Sequence, residues 1–261
     1  MRTARYPSPV LDETAVDLHV KVLSEAVVDR AISAGLEAIV YAPHFTRWPE
    51  IRRMAREYTR AELLVVPGRE IFTGSWRNRK HVLALGLEAP VPDFVPLDVA
   101  MDELKRQDAV VLAPHPGYAT VSLTGEDLRR YRSEIHSAEI FNPRNAPWHD
   151  RRARRMVETL EIPPFASSYA HLGRTVGAAD TTFERSIEEV TDLHDALRDG
   201  VARTVRYPRG TGRWRRALPE LGHLCYENSV SKARRVLGSD LEATHPRHPA
   251  YGGRFEDVAC V

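Results

Sequence analysis

Residues 15–44 read AVDLHVKVLSEAVVDRAISAGLEAIVYAPH, and three short patterns inside this stretch decide the fold class. Residues 15–20 form an apolar run of strand length. Residues 24–33 space Val27, Ala31 and Ile32 as one face of a helix, and Gly35 supplies the stop. Residues 38–42 are apolar again and end two residues before His44. Strand, helix and strand within thirty residues make a βαβ unit, which requires parallel pairing.

The same rhythm continues along the chain. Further strands are expected at 63–71, 81–87, 109–114, 138–142 and 164–168. Helices are expected at 49–59, 97–106, 125–132 and 147–160, each with apolar residues at helical spacing. The third and fourth strands follow each other closely enough for a hairpin. Seven strands separated largely by helices indicate an α/β protein with a mainly parallel sheet, closed or open. After about residue 175 the rhythm changes. One more helix is expected at 187–198, with Gly200 as its stop, then the linker RYPRGTGRWRR, a helix at 226–237 and the polar tail THPRHPAYGGRFEDVACV. The domain reading is 1–207 as the main domain and 208–261 as a C-terminal extension.

Bulk composition narrows the function classes. The 261 residues are 43% hydrophobic and 28% charged with a formal net charge of +1, so bulk electrostatic attraction to nucleic acid is not indicated, although local patches are possible. Cys225 and Cys260 fit neither a disulfide framework nor a zinc-ribbon spacing. No apolar run approaches the ~20 residues of a membrane span and no signal-peptide pattern opens the chain, so a cytoplasmic protein without membrane association is the expectation.

Residues suited to chemistry recur where the apolar runs stop or start. His19 ends VDLH, His44 ends AIVYAPH, Glu70 lies in VVPGREIF and His81 opens HVLALGL. His115 ends VVLAPHPG, Asn142 ends AEIFN and His171 ends ASSYAH. The carboxyl ends of parallel strands are where α/β folds build their sites. Imidazoles and a carboxylate delivered there are ligands that zinc, manganese and iron accept. A lone histidine at a strand end is ordinarily structural, so the constellation carries the argument.

With these motifs in hand the chain resembles the polymerase and histidinol phosphatase (PHP) domain family over about residues 17–206. DLHVKV is similar to the family's DLHxH motif, AGLEAIVYAPH to AGLDAIAITDH, VVPGREIF to PGIEI, and HVLALGL to HLLGLGL. VVLAPHPG matches AHP, AEIFN matches VEVFN, SSYAHLGRTVG resembles SDAH, and residues 183–200 resemble the segment that often follows PHP domains. The resemblance implies a distorted seven-stranded (β/α) barrel of PHP type with a C-terminal extension. It further implies a pocket for up to three divalent metals that hydrolyses phosphoesters. His19 is then a ligand of the first metal, and Glu70 bridges the first and second. His81 and His115 complete the second, while His44 and His171 hold the third.

Four departures change that pattern. The second histidine of the opening motif is Lys21, the aspartate of the closing motif is Tyr169, Pro43 replaces the aspartate before His44, and the next ligand after Lys21 is missing. Glu25 is a candidate substitute at the third position. Only the second position, with Glu70, His81 and His115, keeps all its protein ligands, which suffices for an open catalytic site. An ammonium about 4 Å from a divalent ion is repelled by several kcal/mol at an effective dielectric near 20. Lys21 therefore implies fewer than three ions (Mn, Zn or Fe). Its ammonium either stands in the first metal's place, facing Glu70 or a phosphate oxygen, or turns out to solvent.

Lys21, Arg69 and Tyr169 are the candidates for charge or hydrogen bonds to phosphate. Arg69 is the weaker of the two cations because strand alternation points it away from Glu70. Tyr169 is either a donor or an apolar plug. The expected substrate is a phosphomonoester or phosphodiester, a small molecule or a nucleic acid, hydrolysed by metal-activated water. The alternative is a degenerate PHP domain kept as a binding or scaffold module. Arg203, Arg206, Arg209, Arg213, Arg215 and Arg216 around Trp214, and Arg151, Arg152, Arg154 and Arg155, favour nucleic acid in that case. A second metal site from His223, Cys225, His245 and His248 matches no four-ligand spacing. Oligomeric state is left open by the sequence.

Overall fold

The computed structural model describes residues 13–75, 77–118, 121–208, 222 and 243–260. Nine strands form one sheet: β1 (Thr14–Val20), β2 (Ala38–Tyr41), β3 (Leu64–Thr73), β4 (Lys80–Leu85), β5 (Val110–Ala113), β6 (Ile135–Phe141), β7 (Pro164–Ala166), β8 (Asp180–Phe183) and β9 (Arg203–Arg206). Among the elements whose bounds are described, six helices accompany them: α1 (Glu25–Ser33), α2 (Trp48–Tyr58), α3 (Leu97–Arg106), α4 (Gly125–Arg130), α5 (Pro147–Thr159) and α6 (Val190–Arg198). The sheet order is β7-β6-β5-β4-β3-β2-β1-β8-β9.

The sheet curls until its ends nearly meet. Beyond the last residue of β7, the Lys21 N–H donates to Ala170 O at 2.8 Å, so β1 touches the β7 end. On the other flank, Thr181 Oγ1 of β8 bonds both the N–H and the carbonyl of Ala166, each at 3.0 Å. The result is a nearly closed barrel with nine strands, against the seven expected. The two extra strands, DTTF and RTVR, are four residues each and lack the apolar run by which the others are recognised. They pair antiparallel with each other, and β8 pairs antiparallel with β1. β4 is also antiparallel to both neighbours. Its amino end therefore lies at the rim where the parallel strands present their carboxyl ends, which delivers His81 to that rim.

Two apolar cores follow from strand alternation. Inside the barrel, Val16, Leu18, Val40, Val66, Leu83, Leu85, Val110, Leu112 and Phe165 pack together. Leu193, Ala196 and Leu197 of α6 join them, so this helix closes the end away from the rim. Outside, Val27, Ala31, Ile39, Ile51, Val65, Met101 and Val157 pack between sheet and helices. Gly68 permits the close approach of β2 and β3, since a Cβ there would lie 2.6 Å from Val40 Cγ1.

The C-terminal part differs from its sequence reading. The linker from Arg209 through Arg216, the helix expected at 226–237, and His223 and Cys225 lie outside the described residues. Residues 243–260, read as a polar tail, are instead docked on the barrel. Tyr251 and Phe255 are buried against Val95 and Ala100, and the Cys260 N–H donates to Phe94 O at 2.7 Å. Arg203 and Arg206 are strand residues of β9: Arg203 stacks on Phe183 at 4.7 Å and Arg206 pairs with Asp180 at 2.8 Å.

Candidate metal centre

Glu70, in the middle of β3, is the hub of the rim. Its carboxylate is completely buried, and four imidazoles from four other segments surround it. His19 Nε2 lies 3.6 Å, His81 Nδ1 3.2 Å and His115 Nε2 3.3 Å from Oε1, and His44 Nδ1 lies 2.8 Å from Oε2. The Lys21 ammonium also reaches Oε2 and donates a second bond to Ala42 O at 2.6 Å. Lys21 is thus turned inward and paired with Glu70, not turned out to solvent.

The protonation pattern identifies what the cluster lacks. Ser122 Oγ donates to Tyr118 O at 2.8 Å, so its lone pair is left to accept from His115 Nδ1 at 2.9 Å. Ser122 thus holds the Nδ1 side of the ring, and His115 Nε2 faces Glu70 Oε1 at 3.3 Å. Burial, followed by the Lys21 charge, pushes His19 down to about 3, and burial pushes His81 down to about 4 despite Glu70. Both rings are neutral at pH 7, and neither nitrogen of His19 or of His81 has a hydrogen-bond partner. Burial acts to raise the Glu70 carboxyl, but Lys21 and the surrounding imidazoles hold it well below the usual carboxylate range.

Three imidazole nitrogens therefore crowd around one buried carboxylate oxygen. A tetrahedral ion with bonds of about 2.1 Å requires ligand–ligand edges of about 3.4 Å. The 3.2 and 3.3 Å separations of His81 and His115 from Glu70 Oε1 match such edges. Donor atoms of Glu70, His81 and His115 all lie within 4.8 Å of one another. The residues fit one divalent ion at this triad.

The flanking positions are filled differently. Arg144, on the turn after β6, places Nη1 2.7 and 3.0 Å from the two ring nitrogens of His171, and its guanidinium lies 4.7 Å over the Tyr169 ring. Burial, then the Arg144 charge, holds His171 well below its ordinary value. Tyr169 also packs on His19, ring centroids 4.6 Å apart, with the Lys21 ammonium 5.4 Å from its ring. An ammonium and a guanidinium thus stand beside the triad. Glu25, the candidate substitute ligand, is on the surface and pairs with Arg60 at 2.6 Å. Arg69 faces away from the cluster, as strand alternation requires, and pairs with Asp93 at 2.6 Å.

Sequence reasoning missed Arg144 and Glu139. Glu139 accepts from the His115 N–H at 2.9 Å, from Asn142 Nδ2 at 2.7 Å and from the Ser167 hydroxyl. It fixes the bend at His115, whose φ is 34°. The signal was present in the AEIFNPR stretch, where only the terminal asparagine was singled out. Among the described residues six non-glycine positions have positive φ, and four of them, Phe45, Phe94, His115 and Tyr169, lie at or beside this rim. Left-handed backbone at bulky residues is costly and concentrates at functional sites.

Comparison with known proteins bears on the fold. The PHP-associated family description matches residues 147–202, from α5 through α6. No curated protein matches the chain. Among solved structures, PsfC from Pseudomonas syringae PB-5123 is similar with a TM-score of 0.60 at 17% identity, over 84% of this chain and 99% of that one. The lesion-specific endonuclease PfuEndoQ from Pyrococcus furiosus gives 0.55 at 13% identity, over 74% of this chain and 57% of that one. An amidohydrolase from Chromobacterium violaceum gives 0.53 at 11% identity, over 75% and 99%. The fold is an α/β barrel of PHP type. The family match covers only residues 147–202, and the solved structures, all below 20% identity, speak for the fold.

Proposed function

We propose that this protein is a metal-dependent phosphoesterase that works with a single divalent ion (Mn, Zn or Fe) at Glu70, His81 and His115. The observation that carries the reading is the convergence of buried imidazole nitrogens on Glu70 Oε1. A divalent ion held there supplies Lewis-acid polarisation of a phosphoryl oxygen and a water of lowered pKa.

The chain's own residues do the rest. Lys21 is held by Ala42 O and Glu70, so its positive charge is fixed beside the ion position. Arg144 presents a second fixed charge, and its Nε and Nη2 make no hydrogen bond among the described residues. Both are placed to neutralise the equatorial oxygens of a phosphoryl group, where preorganised charge is most effective. Tyr169 covers His19 and carries the Arg144 plane, so it acts as packing between the two cations. Ser122 and Glu139 hold His115 by its ring and its backbone.

A second reading has one specific observation in its favour: Lys21 and Arg144 already satisfy Glu70 and His171 where the resemblance would put ions. On that reading the domain is a non-catalytic module that binds a phosphate-bearing partner such as nucleic acid. The deciding experiment is metal analysis of protein purified without added metal, beside turnover of a generic phosphomonoester and phosphodiester with each metal supplied. The phosphoesterase reading expects about one ion per chain and turnover, both lost in Glu70→Ala. No ion and no turnover, together with nucleic-acid binding that falls steeply with salt, establishes the module instead.

A further inference from the structure

We propose that the C-terminal segment 243–260 is a positioning element of the metal centre, acting through a buried Thr244–Asp93–Arg69 relay on the backbones that carry Glu70 and His44. The inference rests on the single-ion reading only for its consequence on metal affinity.

The relay is unusual in its burial. Arg69 is 1% exposed, Asp93 0% and Thr244 1%. In the family motif PGIEI the residue before the glutamate is apolar, and this chain buries a guanidinium there. Its partner set explains why it is tolerated, because a buried charge requires pairing and full hydrogen bonding. Arg69 Nη2 donates to Asp93 Oδ2 at 2.6 Å. The Thr244 hydroxyl donates to the same oxygen at 2.6 Å, and Asp93 N–H donates back to Thr244 O at 2.8 Å. Asp93 Oδ1 accepts from the Phe72 N–H at 2.8 Å. On its other side, Arg69 Nη1 donates to the Glu70 carbonyl and reaches Pro43 O at 3.5 Å. One guanidinium therefore ties β3 at Glu70 to the turn that carries His44.

A second route leaves from the next residue. His245 stacks beside Phe94 at 5.9 Å, Phe94 on Phe45 at 6.1 Å, Phe45 on Phe72 at 4.8 Å, and Phe72 on His81 at 4.0 Å. Arg254 holds the far part of the segment to Glu103 of α3 at 3.0 Å. Thus a polar path ends on Glu70 and His44, and an aromatic path ends on His81. A segment 150 residues or more beyond the motif residues it supports buttresses three of them.

Thr244→Val removes one donor while keeping shape, and Thr244→Ser restores it. Amide hydrogen exchange is the first readout, because it is independent of whether any ion binds. The relay predicts faster exchange at 44–45 and 68–73 in Thr244→Val, with Thr244→Ser at the wild-type rate. Faster exchange confined to 243–260, or identical behaviour of the Val and Ser variants, overturns it. The second readout is affinity for Zn measured by chelator competition, expected to fall about tenfold in Thr244→Val at unchanged fold. An unchanged affinity beside propagated exchange restricts the relay to backbone order and overturns its role in metal binding. Wild-type protein that takes up no Zn refutes the single-ion reading, while the exchange pattern still decides the relay.

Discussion

Lys21→Met separates the two states of the site because it acts on them with opposite sign. Methionine keeps the lysine stem and removes the ammonium. In the ion-free protein Lys21 is the full charge facing Glu70, with side chains 3% and 0% exposed. Removing one partner of such a pair strands a buried carboxylate, at a cost of ~3–5 kcal/mol. With an ion at the triad the ammonium is instead a repeller. A unit charge and a divalent charge about 5 Å apart, across one carboxylate, repel by ~6–7 kcal/mol at an effective dielectric near 20. Movement of the stem and solvent at the rim remove part of this, leaving an expected affinity gain of ~1.4–3 kcal/mol, or roughly 10- to 150-fold. Urea unfolding in excess chelator reads the first effect and chelator-competition titration with Zn or Mn reads the second. The expected result is a less stable apo-protein that binds its ion more tightly. If the variant binds Zn and Mn no better than wild type while its apo-stability is unchanged, Lys21 is not coupled to Glu70 and the argument fails.

Three further outcomes follow from the same geometry. Ser122→Ala frees the His115 ring to take the wrong tautomer, and metal affinity is expected to fall 10- to 100-fold in a competition titration, the usual loss for a residue that orients a ligand. His194 of α6 is pushed down to about 4 by burial and then by Arg198. Its folded state binds fewer protons than the unfolded state between about 6.5 and 4, so its contribution is present above 6.5 and is lost as pH falls. His194→Leu should remove about 2 kcal/mol of that acid sensitivity in urea unfolding followed from pH 7.5 to 5, and an unchanged slope counts against it. Gly68→Ala drives a methyl to 2.6 Å from Val40 Cγ1 and 3.3 Å from the Ala42 Cβ. The expected cost is ~1–3 kcal/mol in thermal unfolding.

The barrel was legible in the sequence because its strands and helices carry the two periodicities that burial imposes. The helix expected at 97–106 coincides with α3, and the other five differ by one to three residues at their ends. What escaped was short or polar. β8 presents DTTF and β9 presents RTVR, whose stability comes from pairing with β1 and with each other, not from an apolar run of their own. The docked segment escaped for a related reason. THPRHPAYGGRF is polar on average, and only Tyr251 and Phe255 are buried within an apolar cluster. Its Thr244 contact with Asp93 spans 151 residues, a separation that no local pattern can register.

The site divides along the same line. His19, His44, His81, His115 and His171 stand where apolar runs begin or end and Glu70 lies within VVPGREIF, which is why the sequence singled them out as candidates. Strand alternation also separated Arg69 from Glu70 correctly, since adjacent residues of a regular strand face opposite ways. Alternation could not say what a buried Arg69 would do, because its partners come from residues 93 and 244. Lys21 was the opposite case. Its type was the anomaly, and its inward orientation was left undecided by a sequence in which the opposing carboxylate lies 49 residues away. The structure resolves both cations by one rule: a charge buried at this rim faces the partner that neutralises it. Lys21 meets Glu70 inside the barrel and Arg69 meets Asp93 outside it. β3 therefore carries Glu70 on one face and Arg69 on the other, and on the relay proposed above a substitution on the outer face is expected to reach the inner one through a single peptide unit.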